Sequence, residues 1–318
     1  MVSALCGMLP ARAADPQLLN LVMPDAKVLA GVNVDQAKTS PFGQWVLGQM
    51  QLQDTQLKEL TKLTGFDPTN DVHELLVASS STPAAAGAPG AHPTGLAVAR
   101  GNFDPAKINA LVLLKGGTSE TYNGVTIVED PKQTSGLAFL GSTIVVAGDL
   151  ANVKAAIDRQ TKAAPLPATV AVQVNNWSST QDAWAVVAVP PSTLHPATGM
   201  PPIPGVGAQG QNNAFQNIQS AAGGVKFGTN IVVTAQATAG TAQDATQMGD
   251  ALKLLASLAL MQQNGDPNIT ALLQSLKVTT NGPVLNATVS LPQDMLVKML
   301  QSGHNRPAGM TPRPAHKK

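Results

Sequence analysis

Asp71, His73 and Glu74 come closest in this sequence to a cluster of metal-binding side chains. Carboxylate and imidazole groups are ordinary protein ligands of zinc and other transition metals. Alternation along a strand places Asp71 and His73 on one face and Glu74 on the other, so the three groups do not converge. Because nothing indicates a further ligand elsewhere, we interpret these residues as the polar entry to a strand and predict no metal site.

Glu129 and Asp130 are adjacent carboxylates, the residue type that supplies a general acid and a general base. A catalytic pair flanks its substrate from two sides, whereas neighbours on a strand point to opposite faces of the sheet. We therefore expect these two residues to form a solvated strand end. Three other acids, Asp104, Asp149 and Asp294, are predicted to lie at helix caps.

The remaining sequence offers no recognisable nucleophile or phosphate-binding loop. Four histidines fall in Pro- and Gly-rich segments or in the C-terminal tail: His92, His195, His304 and His316. No G-x-S-x-G elbow, Walker sequence or dinucleotide fingerprint is present. Gly223 and Gly224 precede an expected strand and not a helix, so they are poorly placed to hold a phosphate. We predict no catalytic, cofactor-binding or metal-ligating residue, and no cofactor.

Trp177 and Trp184 flank a short polar segment, and an exposed pair of this kind could stack on a sugar. Trp184 lies within an apolar strand pattern and is predicted to be in the core. Trp177 is the better candidate for the surface. A single tryptophan is insufficient to define a binding face.

The elements that must position these residues follow from the spacing of apolar side chains. In the first half, the pattern predicts strands at 26–34, 75–79, 94–100, 125–128, 137–140 and 143–147. A helix is predicted from a cap at Ser40 to a left-handed end at Gly65, and two more follow Asp104 and Asp149. Asn123 and Gly124 are predicted to form a tight turn.

In the second half, strands are predicted at 183–189, 225–227, 230–238 and 285–289, and a short helix at 215–222. The strongest helical pattern runs over 242–262, followed by helices at 269–276 and from Pro292. Residues 190–213 are rich in Pro and Gly and are expected to be a long loop.

Both halves follow nearly the same order of elements and meet near residues 163–168. Helices interleaved with pairs of strands are typical of a mostly antiparallel sheet backed by helices. We predict an α+β fold made of two tandem ferredoxin-like modules, each with helices on one face of its sheet. The expected organisation is a signal segment at 1–13, modules at 20–162 and 168–301, and an unfolded basic tail at 302–318.

This order of elements resembles that of uncharacterised secreted bacterial proteins built from duplicated α+β modules. The resemblance rests on residues 64–71 and 100–105, both of which contain Phe-Asp-Pro, and on the matched helices. It covers most of the expected mature chain. It implies a fold and no particular activity.

The N-terminus predicts export. Residues 2–9 are a short apolar run, and Ala11, Arg12 and Ala13 form a small-x-small triplet that favours cleavage before Ala14. Cys6 is the single cysteine and would leave with the signal, so disulfides and thiolate metal sites are not expected. No later run of apolar residues is long enough to span a membrane. We expect a periplasmic or extracellular location.

The absence of converging titratable groups favours a binding or interaction role over catalysis. Charged residues are only 12% of the chain and the formal net charge is +1, and four basic residues of the tail leave the rest at −3. No basic surface for nucleic acid is therefore expected. We predict a non-enzymatic protein that acts by surface binding to an unidentified protein or envelope component. Two alternatives stay open: a hydrolase with a site formed between the two modules, and an envelope-associated structural protein.

Overall fold

The computed structural model describes residues 14–53, 55–80, 94–188, 217–262 and 267–304. The predicted signal segment, the predicted loop at 190–213 and the tail from residue 305 lie outside these ranges. The helices of the described residues are α1 (Pro16–Leu19), α2 (Val34–Thr39), α3 (Pro41–Gln53), α4 (Thr55–Thr64), α5 (Pro68–Asp71), α6 (Pro105–Leu114), α7 (Leu150–Arg159), α8 (Ala168–Thr180), α9 (Ala242–Gln262), α10 (Pro267–Ser275) and α11 (Gln293–His304).

The strands are β1 (Val28–Asn33), β2 (Val72–Ser79), β3 (Gly95–Gly101), β4 (Thr118–Tyr122), β5 (Val125–Glu129), β6 (Ser135–Leu140), β7 (Ile144–Asp149), β8 (Ala183–Val187), β9 (Ile218–Lys226), β10 (Asn230–Ala239), β11 (Lys277–Asn281) and β12 (Val284–Pro292). They form one antiparallel sheet in the order β11-β12-β10-β9-β8-β1-β2-β3-β7-β6-β5-β4. The first strands of the two halves, β1 and β8, are neighbours, with Ala30 opposite Ala185 and Gly31 opposite Trp184.

The predicted α+β class, with a large antiparallel sheet and helices, is confirmed. The two ferredoxin-like modules are not confirmed, because the β1–β8 pair makes the two halves a single sheet. Helices also lie against both faces of the sheet and not against one. The module boundaries at 20–162 and 168–301 stay predictions.

One face of the sheet, here called the core face, carries Leu29, Leu76 and Val98, which are at most 1% exposed. Helices α1, α7 and α8 cover it and contribute buried apolar residues: Leu18, Val153, Ala156, Ile157, Val170, Val174 and Trp177. Fully burying an aliphatic side chain stabilises a fold by about 1.5–3 kcal/mol, so this face holds most of the apolar stabilisation.

The opposite face, here called the open face, carries Ala30, Val77 and Ala97. Helix α6 contacts β4 and β5 near one edge of the sheet, and α9 contacts β10, β11 and β12 near the other. Helix α11 contacts α3, β12 and β10. A small second core forms where Ala245 and Met248 of α9 pack on Leu285 of β12.

Local signals in the sequence explain several element ends. Ser40 Oγ accepts a hydrogen bond from the Gly43 N–H at 2.9 Å, and Asp104 accepts one from the Lys107 N–H at 3.2 Å, so both predicted caps are confirmed. Gly65 ends α4 with φ +77°, as predicted. Asp149 precedes α7, but its carboxylate accepts from the Gly95 N–H of β3 at 2.5 Å and makes no cap hydrogen bond.

The predicted helix at 215–222 is wrong, because Ile218–Lys226 is strand β9. The segment is made of small residues, whose spacing carries no periodic signal. Its Gly224 lies opposite Trp184, and a Cβ atom there would clash with the Gln181 side chain. The small residues are therefore needed for close packing in the middle of the sheet.

Gly31 lies where the two halves meet, and a Cβ atom at this position would come within 2.7 Å of Leu76 Cδ2 and of the Trp184 ring. We expect Gly31→Ala to lower the free energy of unfolding by about 1–3 kcal/mol, the usual cost of overpacking a core. Urea unfolding followed by tryptophan fluorescence measures the change.

Gly48→Ala is the matched control, since Gly48 lies in α3 and a Cβ there has nothing within 4 Å. It should leave stability unchanged or raise it by about 0.5–1 kcal/mol, because alanine loses less backbone entropy in a helix. Equal stabilities of the two variants would contradict the packing argument at Gly31.

Candidate functional site

Asp71, His73 and Glu74 each contact different partners in the structure. Asp71 Oδ2 accepts from the Asp67 N–H at 2.7 Å, and Glu74 Oε1 accepts from the Asp15 N–H at 3.0 Å. His73 Nδ1 lies 3.0 Å from Asp35 Oδ1, and its Nε2 lies 3.2 Å from Asn102 Nδ2. Among the described residues, no group of three His, Cys, Asp or Glu side chains is placed to hold a metal ion.

The expectation of a solvated end at Glu129 is wrong. Glu129 is 5% exposed, and its Oε2 accepts a hydrogen bond from Thr118 Oγ1 at 3.4 Å. Strand β4 was not predicted because its sequence is polar. It pairs with β5 and places Thr118 opposite Glu129, which buries the Glu129 side chain.

Asp130 sits in the turn that follows. Its carboxylate accepts backbone hydrogen bonds from Ser135, Thr134 and Lys132, the first at 2.8 Å. These donors, led by Ser135, hold the pKa of Asp130 down at about 2. Glu129 and Asp130 thus have separate structural roles and do not form a catalytic pair.

Trp184 is in the core, as predicted, with 6% of its surface exposed. Trp177 was expected at the surface but is only 8% exposed. It lies on α8 with Val174 and Val170, which share its helical face at spacings of three and seven residues. The spacing was visible in the sequence and was the signal that places Trp177 in the core.

Asp182 is a buried carboxylate that the sequence analysis did not single out. It is 4% exposed, and its two oxygens lie 2.6 Å from Lys226 Nζ and 2.6 Å from the Phe227 N–H. Asp182 thus fastens the start of β8 to the end of β9. The arrangement is a structural clamp, because each carboxylate oxygen has a partner.

A polar pocket of about 320 Å³ lies between α2, α3 and α5, lined by Lys38, Gln44, Leu47, Gly48, Thr69 and Asn70. The Lys38 ammonium is already bonded to the Asn70 and Val72 carbonyl oxygens, at 3.0 and 3.1 Å. The lining residues include no carboxylate or imidazole. The pocket is therefore a surface cleft whose one ammonium group already donates hydrogen bonds to backbone carbonyl groups.

The open face of the sheet is the strongest candidate for a binding site. Val77 is 45% exposed, although its neighbours Leu76 and Ala78 on the core face are at most 1% exposed. Val233 on β10 is 43% exposed. Single exposed apolar side chains are common on protein surfaces, but contiguous apolar surface often marks an interaction site.

A row of small apolar residues crosses the open face at one level, here called the apolar row. Strand register places these residues opposite one another from β3 to β10: Ala97, Val77, Ala30, Ala185, Gly223 and Ala235. The next level of the same face is also apolar and includes Leu75, Val32, Ala183, Val225 and Val233. Neither level carries a charge.

The small side chains leave room above the apolar row. Helix α6 lies near one edge of the sheet and α9 near the other, and Val77 and Val233 stay accessible between them. Neighbouring strands are about 4.8 Å apart, so the row from Val77 to Ala235 extends over about 19 Å. The arrangement can hold an elongated apolar group and provides no titratable group along the row.

Comparison with known proteins identifies the fold. No family model matches the chain, and no curated protein matches it. Three crystal structures of a protein called TP0453 are similar over 91% of this chain. Crystal form I gives a TM-score of 0.52 at 9% identity over 98% of that chain, and crystal form IV gives 0.53 at 12% over 97%. At such identities the similarity concerns the fold alone.

No helix within the described ranges has the length and apolar character needed to span a membrane.

Asp182→Ala should lower the free energy of unfolding by about 1–3 kcal/mol, because the Phe227 N–H then loses its acceptor. Urea unfolding measures the change. Asp250→Ala removes an exposed carboxylate that faces Lys253 at 3.5 Å on α9 and should stay within about 0.5 kcal/mol of the wild type. A similar loss in both variants would contradict the clamp.

Asp130 should make stability depend on pH in the acid range. Because its folded pKa of about 2 lies below the unfolded value of about 3.9, its contribution is complete above pH 4 and is lost as the pH falls towards 2. Thermal unfolding between pH 2 and pH 5 should show a smaller fall in Tm for Asp130→Asn than for the wild type. The same fall in both proteins would contradict the assignment.

Proposed function

We propose that this protein is an exported, non-enzymatic binding protein that holds an elongated apolar ligand on the open face of its sheet. The observation that carries the proposal is the exposure of Val77 and Val233 on a sheet face whose neighbouring residues are apolar and uncharged. Apolar surface left in water costs about 25 cal/mol per Å², so a ligand that covers this face would gain stabilisation from its burial.

The shape of the face supports an elongated ligand over a compact one. The apolar row runs across six strands from β3 to β10, and its residues are Ala or Gly except Val77. Ligand sites are typically apolar with few polar groups. The absence of charge along the row favours an uncharged ligand portion at this place.

Export rests on the sequence of the N-terminus and on the low content of charged residues. A protein that folds outside the cytoplasm meets envelope components, and an apolar ligand from the envelope fits the open face. The repeated order of strands in the two halves also supports duplication of one α+β unit as the origin of the sheet.

Val77→Asp and Val233→Asp each place a charge on the open face at sites exposed by more than 40%, where folding tolerates a polar side chain. The probe is 8-anilinonaphthalene-1-sulfonate, whose fluorescence rises when it binds apolar surface. We expect each variant to bind the probe about tenfold more weakly, which corresponds to about 1.4 kcal/mol.

Val172→Asp is the matched control, since Val172 is 58% exposed on α8, a helix of the opposite face. It should bind the probe like the wild type. Unchanged binding by Val77→Asp and Val233→Asp, or an equal loss with Val172→Asp, would contradict a site on the open face.

A further inference from the structure

Two Asn-Gly pairs lie in hairpin turns at opposite edges of the sheet. Asn123–Gly124 joins β4, the outermost strand at one edge, to β5, and Asn281–Gly282 leads from β11, the outermost strand at the other edge, to β12. All four residues are exposed. They therefore form two comparable turns within one molecule. A third pair, Asn264–Gly265, lies outside the described residues.

An Asn-Gly pair contains both reactants of asparagine deamidation. The glycine backbone nitrogen gives its proton to a base in the solvent and attacks the Cγ atom of the asparagine. A C–N bond forms, and the side-chain nitrogen takes up a proton and leaves as ammonia, so that a five-membered succinimide remains. One water then opens this ring to aspartate or to isoaspartate. Glycine favours the attack because it has no side chain and its backbone is the most flexible.

The side-chain amide of Asn123 is held in place, and that of Asn281 is not. Asn123 Nδ2 donates a hydrogen bond to Asp158 Oδ1 of α7 at 2.7 Å, and Asp158 Oδ2 accepts another from the Tyr122 hydroxyl at 3.0 Å. No described residue hydrogen-bonds to the Asn281 side chain or to the Gly282 N–H. Before its Cγ atom can be attacked, Asn123 must give up a hydrogen bond to a charged acceptor, which is stronger than one to a neutral group.

From this difference we infer that Asn281 is a deamidation site of the folded protein and that Asp158 protects Asn123 from the same reaction. Strand β11 has a neighbour on one side only, so a local opening of the hairpin lets the Gly282 nitrogen approach Cγ. The product carries a new negative charge at position 281. Its isoaspartate form also lengthens the backbone by one methylene where residue 281 pairs with Val284. The inference does not depend on export or on binding at the open face.

Incubation of the folded protein in mildly alkaline buffer, followed by peptide mapping with mass spectrometry, tests the inference. Asn281 should deamidate about tenfold faster than Asn123, which corresponds to about 1.4 kcal/mol of activation free energy. Equal rates, or a faster reaction at Asn123, would overturn it. Asn281→Gln requires a less favourable six-membered ring, so it should remove the product at position 281 and leave the rate at Asn123 unchanged.

The protection of Asn123 is tested by its acceptor. Asp158→Ala should raise the rate at Asn123 about tenfold, to that of Asn281. Tyr122→Phe is the matched control, because it removes the other hydrogen bond to Asp158 and keeps the Asn123 contact. The rate at Asn123 should then stay low. An unchanged rate in Asp158→Ala, or the same acceleration in both variants, would show that Asp158 does not protect Asn123.

The wild-type chain unfolded in urea provides a test that needs no variant. Neither amide is held there, so Asn123 and Asn281 should deamidate at similar rates. A tenfold difference that persists in the unfolded chain would show that the sequence next to each pair sets the rates, and this result would overturn the structural explanation.

Discussion

The contact between Gly31 and Trp184 is the constraint on which the rest of this structure depends. The Trp184 ring of β8 lies over the backbone of Gly31 in β1, and only a residue without a side chain permits this approach. The two strands are about 150 residues apart in sequence, and their pairing joins seven strands of the first half to five of the second. The continuous core face and the continuous open face both follow from this one pair.

The two faces of the sheet differ in how far helices cover them. On the core face, α1, α7 and α8 exclude water and bury nearly every apolar side chain between the strands they cover. On the open face, α6 and α9 lie near the two edges, and the apolar row between them is made of Ala, Gly and Val. A sheet stabilised by one face leaves the other available for the proposed binding, because a ligand there would not have to supply the folding energy.

Local features were predictable and long-range ones were not. The caps at Ser40 and Asp104, the left-handed Gly65, and the helix at 242–262 depend on residues within a few positions of one another. The β1–β8 pair depends on residues far apart along the chain. The burial of Glu129 depends on β4, which is near in sequence but is polar and carries no alternation signal. The alternation of apolar residues at 26–34 indicated an apolar strand face. Whether that face is exposed depends on where helices distant in sequence pack.

The strand order has a geometrical consequence for anything that lies along the apolar row. Each strand of an open sheet is rotated by about 20–25° relative to its neighbour, so the floor turns by about 80–100° over the four steps from β2 to β10. A rigid planar molecule would touch this helicoidal floor over only one or two strands. A chain with freely rotating bonds can follow the twist of the sheet. The twist would therefore favour a flexible molecule over a rigid one.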